Sequence, residues 1–294
     1  MGILLGLATG LSWGFSDFLA RFATHRIGTL RTMFYMQASG FVLLTLFLLR
    51  VGAWGHLFDG SGWQPWAWGV FAGLLNAVST LSLYRSFEIG KLAIVAPLSA
   101  SYPALTVLLS LATGEHLSAA RAAGILLTLI GVVFVAAGEA ASDTSGGTNV
   151  ATAPKARGTG VLWALCASLG FGVLFWLLGN RVIPQTGAFA SVWMIRLTCT
   201  VVTWIVLQIV RQPLGPLARN TRWQVAGMGV FDTGAFVMNN RGMQLEQVAI
   251  VSVLSSLYGA VTVALAAIVL REHIRPRQWV GIVFIFAGIY LISR

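Results

Sequence analysis

The chain has 294 residues, of which 57% are hydrophobic and only 10% charged, against roughly 25% charged in an ordinary soluble domain. Its mean hydropathy of +0.81 excludes disordered, collagen-like and disulfide-scaffold classes and a soluble enzyme, leaving an integral membrane protein. The net charge of +10 is scattered as arginines near helix ends, where they face anionic headgroups, and no aromatic-studded basic groove points to nucleic acid.

Apolar runs near 20 residues match a hydrocarbon core about 30 Å thick. In chain order they fall at 3–22, 30–49, 65–84, 92–112 and 119–138, then at 158–178, 187–210, 223–239, 248–270 and 277–293. The pattern predicts an all-α membrane protein with ten transmembrane helices in two units, 1–138 and 158–294. A polar, Gly/Ala/Ser/Thr-rich linker at 139–157 joins them. The short alternating segments of a β-barrel do not occur. Nothing charged precedes Asp17 except the α-amino group, so the first run is read as a retained helix rather than a cleaved signal.

A polar group facing lipid costs several kcal/mol, so polar side chains inside spans are expected to face the bundle interior. The first span carries Trp13, Ser16, Asp17 and Ala20 on one face, and Gly2, Gly6, Gly10 and Gly14 at the four-residue spacing that lets helices approach closely. The third carries Asn76, Ser79, Thr80 and Leu83; the fourth carries Ser99, Tyr102 and Thr106 beside Pro97 and Pro103, which predict a kink. Trp54, Trp63, Trp66 and Trp68 read as an interfacial belt, whereas Trp13, Trp163, Trp176 and Trp193 are candidates for a cavity wall. Arg196 in the seventh span and Asp232 in the eighth are formally charged near mid-bilayer, where each costs roughly 2.5–3.5 kcal/mol. They are either an ion pair with each other or the two ends of a binding site. Asn239 shares the face of Asp232, and Ser255 and Tyr258 lie in the ninth span.

The two units align. Arg85 to Val95 lies over Arg241 to Val251, and the same offset of 156 pairs Asn76 with Asp232, Ser99 with Ser255, Tyr102 with Tyr258 and Thr106 with Thr262. One residue further out, Glu115-His116 matches Glu272-His273, Gly124 matches Gly281 and Gly131 matches Gly288. Five spans per unit is an odd number, so the second unit is expected upside down relative to the first, an inverted repeat with the substrate site between halves.

Trp13-Gly14, Pro97-Leu-Ser, Gly114-Glu-His-Leu-Ser118 and the weaker copy Arg271-Glu-His-Ile274 resemble an EamA domain, twice over. The chain is thus similar to the ten-helix EamA branch of the drug/metabolite transporter superfamily. That resemblance implies an inner-membrane exporter of small metabolites, most often amino acids, working by alternating access, with organic cations as the other substrate class. The second unit departs from the pattern, with Phe171 where the tryptophan stood and Val253 in place of Pro97.

The expected site is therefore Trp13, Asp17, Asn76, Ser79, Thr80, Ser99, Tyr102, Trp163, Arg196, Asp232, Asn239, Ser255 and Tyr258, serving a small-molecule substrate within the bilayer, with Asp232 as a candidate for a coupled proton. No cofactor is expected, because no phosphate loop occurs, and the four dispersed histidines argue against a metal site. A membrane-embedded enzyme would need acid and histidine side chains gathered near one interface, which the sequence does not offer. With ten spans both termini share a side, which carries Arg50, Arg121, Arg181, Arg241 and Arg294; thirteen Lys and Arg lie on the other. The positive-inside rule then puts the termini outside.

Overall fold

Backbone polar groups in a bilayer are satisfied within the segment itself, and the fold is built accordingly. The computed structural model describes residues 1–90, 92–140, 155–270 and 276–292. The helices, in order, are α1 (Gly2–Ile27), α2 (Thr29–Val51), α3 (Gln64–Ile89), α4 (Leu92–Ser99), α5 (Pro103–Ala112), α6 (Ala119–Ala140), α7 (Lys155–Leu177), α8 (Ile183–Thr186), α9 (Ala188–Ile209), α10 (Arg219–Leu245), α11 (Val248–Ser255), α12 (Tyr258–Leu270) and α13 (Pro276–Ile292). Most of the 139–157 linker and the whole of Glu272-His273 lie outside the described residues.

Five stretches are long and apolar enough to cross a bilayer: Gly2–Ile27, Thr29–Val51, Gln64–Ile89, Gly160–Thr186 and Ala188–Ile209. The shorter apolar helices Pro103–Ala112, Ala119–Gly131, Val248–Thr262 and Trp279–Ile292 accompany them. The 27 residues of α10 reach about 40 Å, but Asp232, Asn239 and Asn240 dilute their apolar character.

Three expected spans differ in detail. The sixth does not end near 178: α7 passes through a π-turn at Leu178–Val182 into α8. It stops at Gly187, whose φ of +89° suits a residue without a Cβ. The fourth and ninth are each two helices. In the fourth, the break at 100–102 precedes Pro103, which has no N–H to continue the ladder. The ninth breaks at 256–257 without any proline. What the two breaks share is serine: Ser99 Oγ donates to Ala96 O (2.8 Å) and Ser101 Oγ to Leu98 O (2.7 Å), while Ser255 Oγ donates to Ser252 O (3.1 Å) and Ser256 Oγ to Val253 O (2.7 Å). Hydroxyls bonding back onto the preceding turn compete with the helical ladder and bend it.

Packing partners follow a regular plan. α1 packs on α10, α11 and α12, while α7 packs on α3, α4 and α5; α2 meets α10, while α9 meets α3; α2 meets α9, and α6 meets α13. Exchanging the two halves leaves this set of partners unchanged. A Cβ on Gly124 would press on Gly288 O and one on Gly131 on Gly281 O, so α6 and α13 run antiparallel. α2 and α9 do likewise, through Gln37 with Arg196, Thr45 with Trp193 and Phe47 with Phe189.

The glycine stripe of α1 is the seam with α11 and α12. A Cβ on Gly6 would lie 3.0 Å from Leu254 Cβ, one on Gly10 would lie 3.0 Å from Leu254 O, and one on Gly14 would collide with Val261.

Candidate functional site

Where the broken helices approach each other, they exchange hydrogen bonds. Tyr102, at the first break, bonds the Ser255 hydroxyl (2.7 Å) and donates to Ser252 O (3.1 Å); Tyr258, at the second, donates to Ser99 Oγ (3.2 Å). The two rings stack with centroids 6.3 Å apart. A turn further on, Thr106 donates to Gly172 O (3.0 Å) and Thr262 to Gly14 O (3.3 Å). Each half thus fastens its broken helix to the other half by the same residue types.

Beside this latch is a small cavity of about 30 Å³, room for about two water molecules. Its walls are aromatic: Trp13, Tyr84, Tyr102, Phe171, Phe175, Phe236 and Tyr258. Trp13 stands at the centre, its ring 5.4 Å from Phe175, 5.1 Å from Phe236 and 6.2 Å from Tyr258. The polar groups on the wall are Thr80 and the carboxylates Asp17 and Asp232.

The two carboxylates have different surroundings. Asp232 is paired: Arg196 Nη2 lies 2.5 Å from its Oδ2. Arg196 is wholly buried, donates through Nη1 to Gln37 Oε1 at 2.6 Å, and lies 5.0 Å from the Phe236 ring centre. The guanidinium therefore stands behind Asp232 and does not itself line the cavity. Asp17, also buried, has no hydrogen bond or ion pair among the described residues. An aromatic enclosure with an unpaired carboxylate suits a cation, through the ring faces as well as the charge.

Six expected site residues, Trp13, Asp17, Thr80, Tyr102, Asp232 and Tyr258, come together on this wall. Ser99 and Ser255 stand behind it as partners of the tyrosines. Asn76 is turned to Cys199 Sγ (3.3 Å), Ser79 to Leu75 O (2.8 Å) and Asn239 to Met243 Sδ (3.6 Å); all three are buried off the cavity. Trp163 does not join the site: it is 37% exposed on the outer face of α7, whose inner face is Ala164, Ala167, Phe171 and Leu174. Trp193 packs on Trp54 and Trp66, and Trp176 donates to Thr113 Oγ1 (3.1 Å).

Sequence reasoning missed Tyr84, Phe171 and Phe175, and gave Phe236 no role on the wall. Their signal was spacing: Tyr84 lies four residues after Thr80, and Phe175 four after Phe171. It also quoted Glu115 only as part of a motif. Glu115 accepts from the N–H groups of Val248 (2.7 Å) and Ala249 (3.2 Å), placing a carboxylate at the positive end of α11. Arg121 bonds Glu246 (3.1 Å) and Gln247 (3.1 Å) beside it. These contacts tie the α5–α6 turn of the first half to the start of α11 in the second. At the opposite end of α1, Arg21 donates to Phe87 O and to Gly90 O (3.0 Å).

Comparison with known proteins adds three findings. The pattern of the EamA-like transporter family matches residues 1–137 and again 158–294. An uncharacterised protein of Methanocaldococcus jannaschii is 28% identical over 134 residues, which is 45% of this chain and 94% of that protein. A solved crystal structure shares the fold with a TM-score of 0.75 at 19% identity, covering 99% of this chain and 95% of its own.

Proposed function

The chain belongs to the EamA-like transporter family, membrane transporters of small molecules, and from that premise we propose that it is a secondary transporter exporting amphiphilic organic cations from the cell. The substrate has an apolar or aromatic body and a protonated amine. The carrying observation is the ring of aromatic side chains around Asp17, a buried carboxylate without a hydrogen-bond or ion-pair partner among the described residues. A desolvated cation over aromatic faces gains about 2 kcal/mol or more per contact, and the carboxylate supplies the charge. The antiparallel pairing of α2 with α9 and α6 with α13 supports two inverted five-helix units, 1–138 and 158–294, that rock about the cavity to alternate access. Asp17 and Asp232 are also where a coupled proton would compete with the cation. The membrane is the inner one.

Amino acids are the second reading, favoured by one observation. Asp232 stands between the cavity and Arg196, so a movement of Asp232 toward an incoming amine would leave the guanidinium to receive a carboxylate.

The test is flux into liposomes containing the purified protein, for aromatic organic cations and for amino acids, with and without a proton gradient and without ATP. Cation flux that Asp17→Asn abolishes supports the first reading. Amino-acid flux lost in Arg196→Gln supports the second. If flux of both classes persists in Asp17→Asn and Asp232→Asn alike, this cavity is not the site.

A further inference from the structure

On the outside of the molecule, away from the central cavity, α2 and α10 leave a long groove between them. Its floor and walls are apolar: Val42, Leu43 and Leu46 are 55%, 45% and 63% exposed, facing Val225 and Ala226. It follows α2 from Tyr35 to Leu46, about 16 Å at the helical rise, which is close to one leaflet of a hydrocarbon core about 30 Å thick. One end is roofed by Gly215, Pro216 and Leu217. Three hydrogen bonds hold that roof: Tyr35 Oη to Gly215 O (2.9 Å), Arg31 Nη2 to the same oxygen (3.3 Å) and Arg222 Nε to Leu217 O (2.9 Å).

The roofed end is cationic. Arg26, Arg31, Arg211, Arg219 and Arg222 belong to the segments 26–46 and 210–228, which contain no Asp or Glu. Arg31 Nε is buried there with no hydrogen-bond partner among the described residues, an unsatisfied charged donor of the kind that native structures seldom leave without reason. A slot of acyl-chain character, one leaflet deep, thus ends in arginine donors.

We propose that this groove binds one anionic phospholipid, its acyl chain along Val42, Leu43 and Leu46 and its phosphate accepting hydrogen bonds from Arg31 and Arg222. Arginine suits the planar, multidentate demand of a phosphate, and the apolar wall supplies what a free phosphate could not use. The site is independent of the transport cavity.

Native mass spectrometry of the purified full-length protein, titrated with palmitoyl-oleoyl phosphatidylglycerol and with phosphatidylcholine of the same chains, tests it. The expected result is a preference for phosphatidylglycerol of about fivefold for each engaged arginine. Arg222→Ala is expected to remove about one such factor while leaving phosphatidylcholine binding unchanged. Leu43→Trp, which fills the slot without touching the roof, is expected to weaken both lipids. Equal binding of the two lipids to the unaltered protein overturns the proposal, as does a preference that survives Arg222→Ala and Arg31→Gln together. So would a dimer that forms in place of lipid adducts and disappears in Leu43→Trp, because the groove then serves a second copy of the chain.

Discussion

Arg196 and Asp232 are the residues whose removal the membrane interior punishes most, because Arg196 is wholly buried and Asp232, at the cavity wall, is its charge partner. Cutting away one partner leaves an uncompensated buried charge, and Arg196→Ala is expected to cost about 3–5 kcal/mol. Replacing both together by Arg196→Met and Asp232→Leu is expected to recover most of that loss while abolishing flux of any substrate that needs Asp232. Thermal unfolding in detergent gives the stabilities, and a double variant as unstable as Arg196→Ala would show that the pair is not self-compensating. Outside the membrane, the Asp59 carboxyl is held at about 2, by the Ser61 hydroxyl first and then by His56 and the Ser61 N–H. A depressed value means that these loop contacts are complete above the ordinary carboxylate range and fade as pH falls through about 2. Ser61→Ala is therefore expected to move the Asp59 titration upward, read by ¹³C resonances of labelled aspartate. At this scale the sequence was informative about residue type: an Asp, an Arg and an Asn inside apolar runs announce an interior. It was silent on helix rotation. Trp163 and Trp13 are both tryptophans within apolar runs, yet one faces outward and the other stands at the centre, because lipid and a protein core accept the same aromatic ring.

Among the elements, the broken helices are what turn ten apolar runs into a site. Had α4–α5 and α11–α12 been continuous, Tyr102 and Tyr258 would have no reason to lie side by side with their hydroxyls crossed over. The latch they form is reciprocal but unequal, since the Tyr102 hydroxyl takes part in two hydrogen bonds and that of Tyr258 in one. Tyr102→Phe and Tyr258→Phe are each expected to lower stability by about 1 kcal/mol per hydrogen bond lost, so the first costs more. Thermal melts of the two variants decide it, and equal losses would mean that the Ser252 carbonyl contact contributes nothing. The glycine seam makes a sharper demand: Gly14→Leu drives a side chain into Val261 and is expected to destabilise by about 1–3 kcal/mol, measured the same way. Half of this was readable beforehand. Pro103 announced the first break, whereas the second depends on serine hydroxyls turned back onto their own helix, and Ser252, Ser255 and Ser256 read equally well as a polar stripe. The π-turn after α7 had no sequence signal beyond Pro184, which stands at the start of α8.

For the whole molecule, the unequal distribution of charge predicts an orientation in the membrane. In the sequence, the connections after the first, third, fifth, seventh and ninth apolar runs, with the run ends beside them, carry thirteen Lys and Arg, against five for the other connections and the C-terminus. We propose on the positive-inside rule that the richer side is cytoplasmic, which would also put the roofed end of the α2–α10 groove against the leaflet where anionic lipid attracts basic segments. On that proposal the termini, the α2–α3 loop with Asp59 and the Glu115 clamp on α11 would face outward. Two single-cysteine variants examine this in intact cells with a membrane-impermeant thiol reagent. The native thiols give a quiet background once Cys166 is replaced by serine, since Cys199 is buried. A cysteine at Ser61, which is exposed in the α2–α3 loop, is expected to label from outside, and one at Ser145 in the linker only after the membrane is permeabilised. The reverse pattern would turn the molecule over: the Glu115 clamp would then close the cytoplasmic side of the cavity, and release to the outside would pass the Arg21 contacts instead.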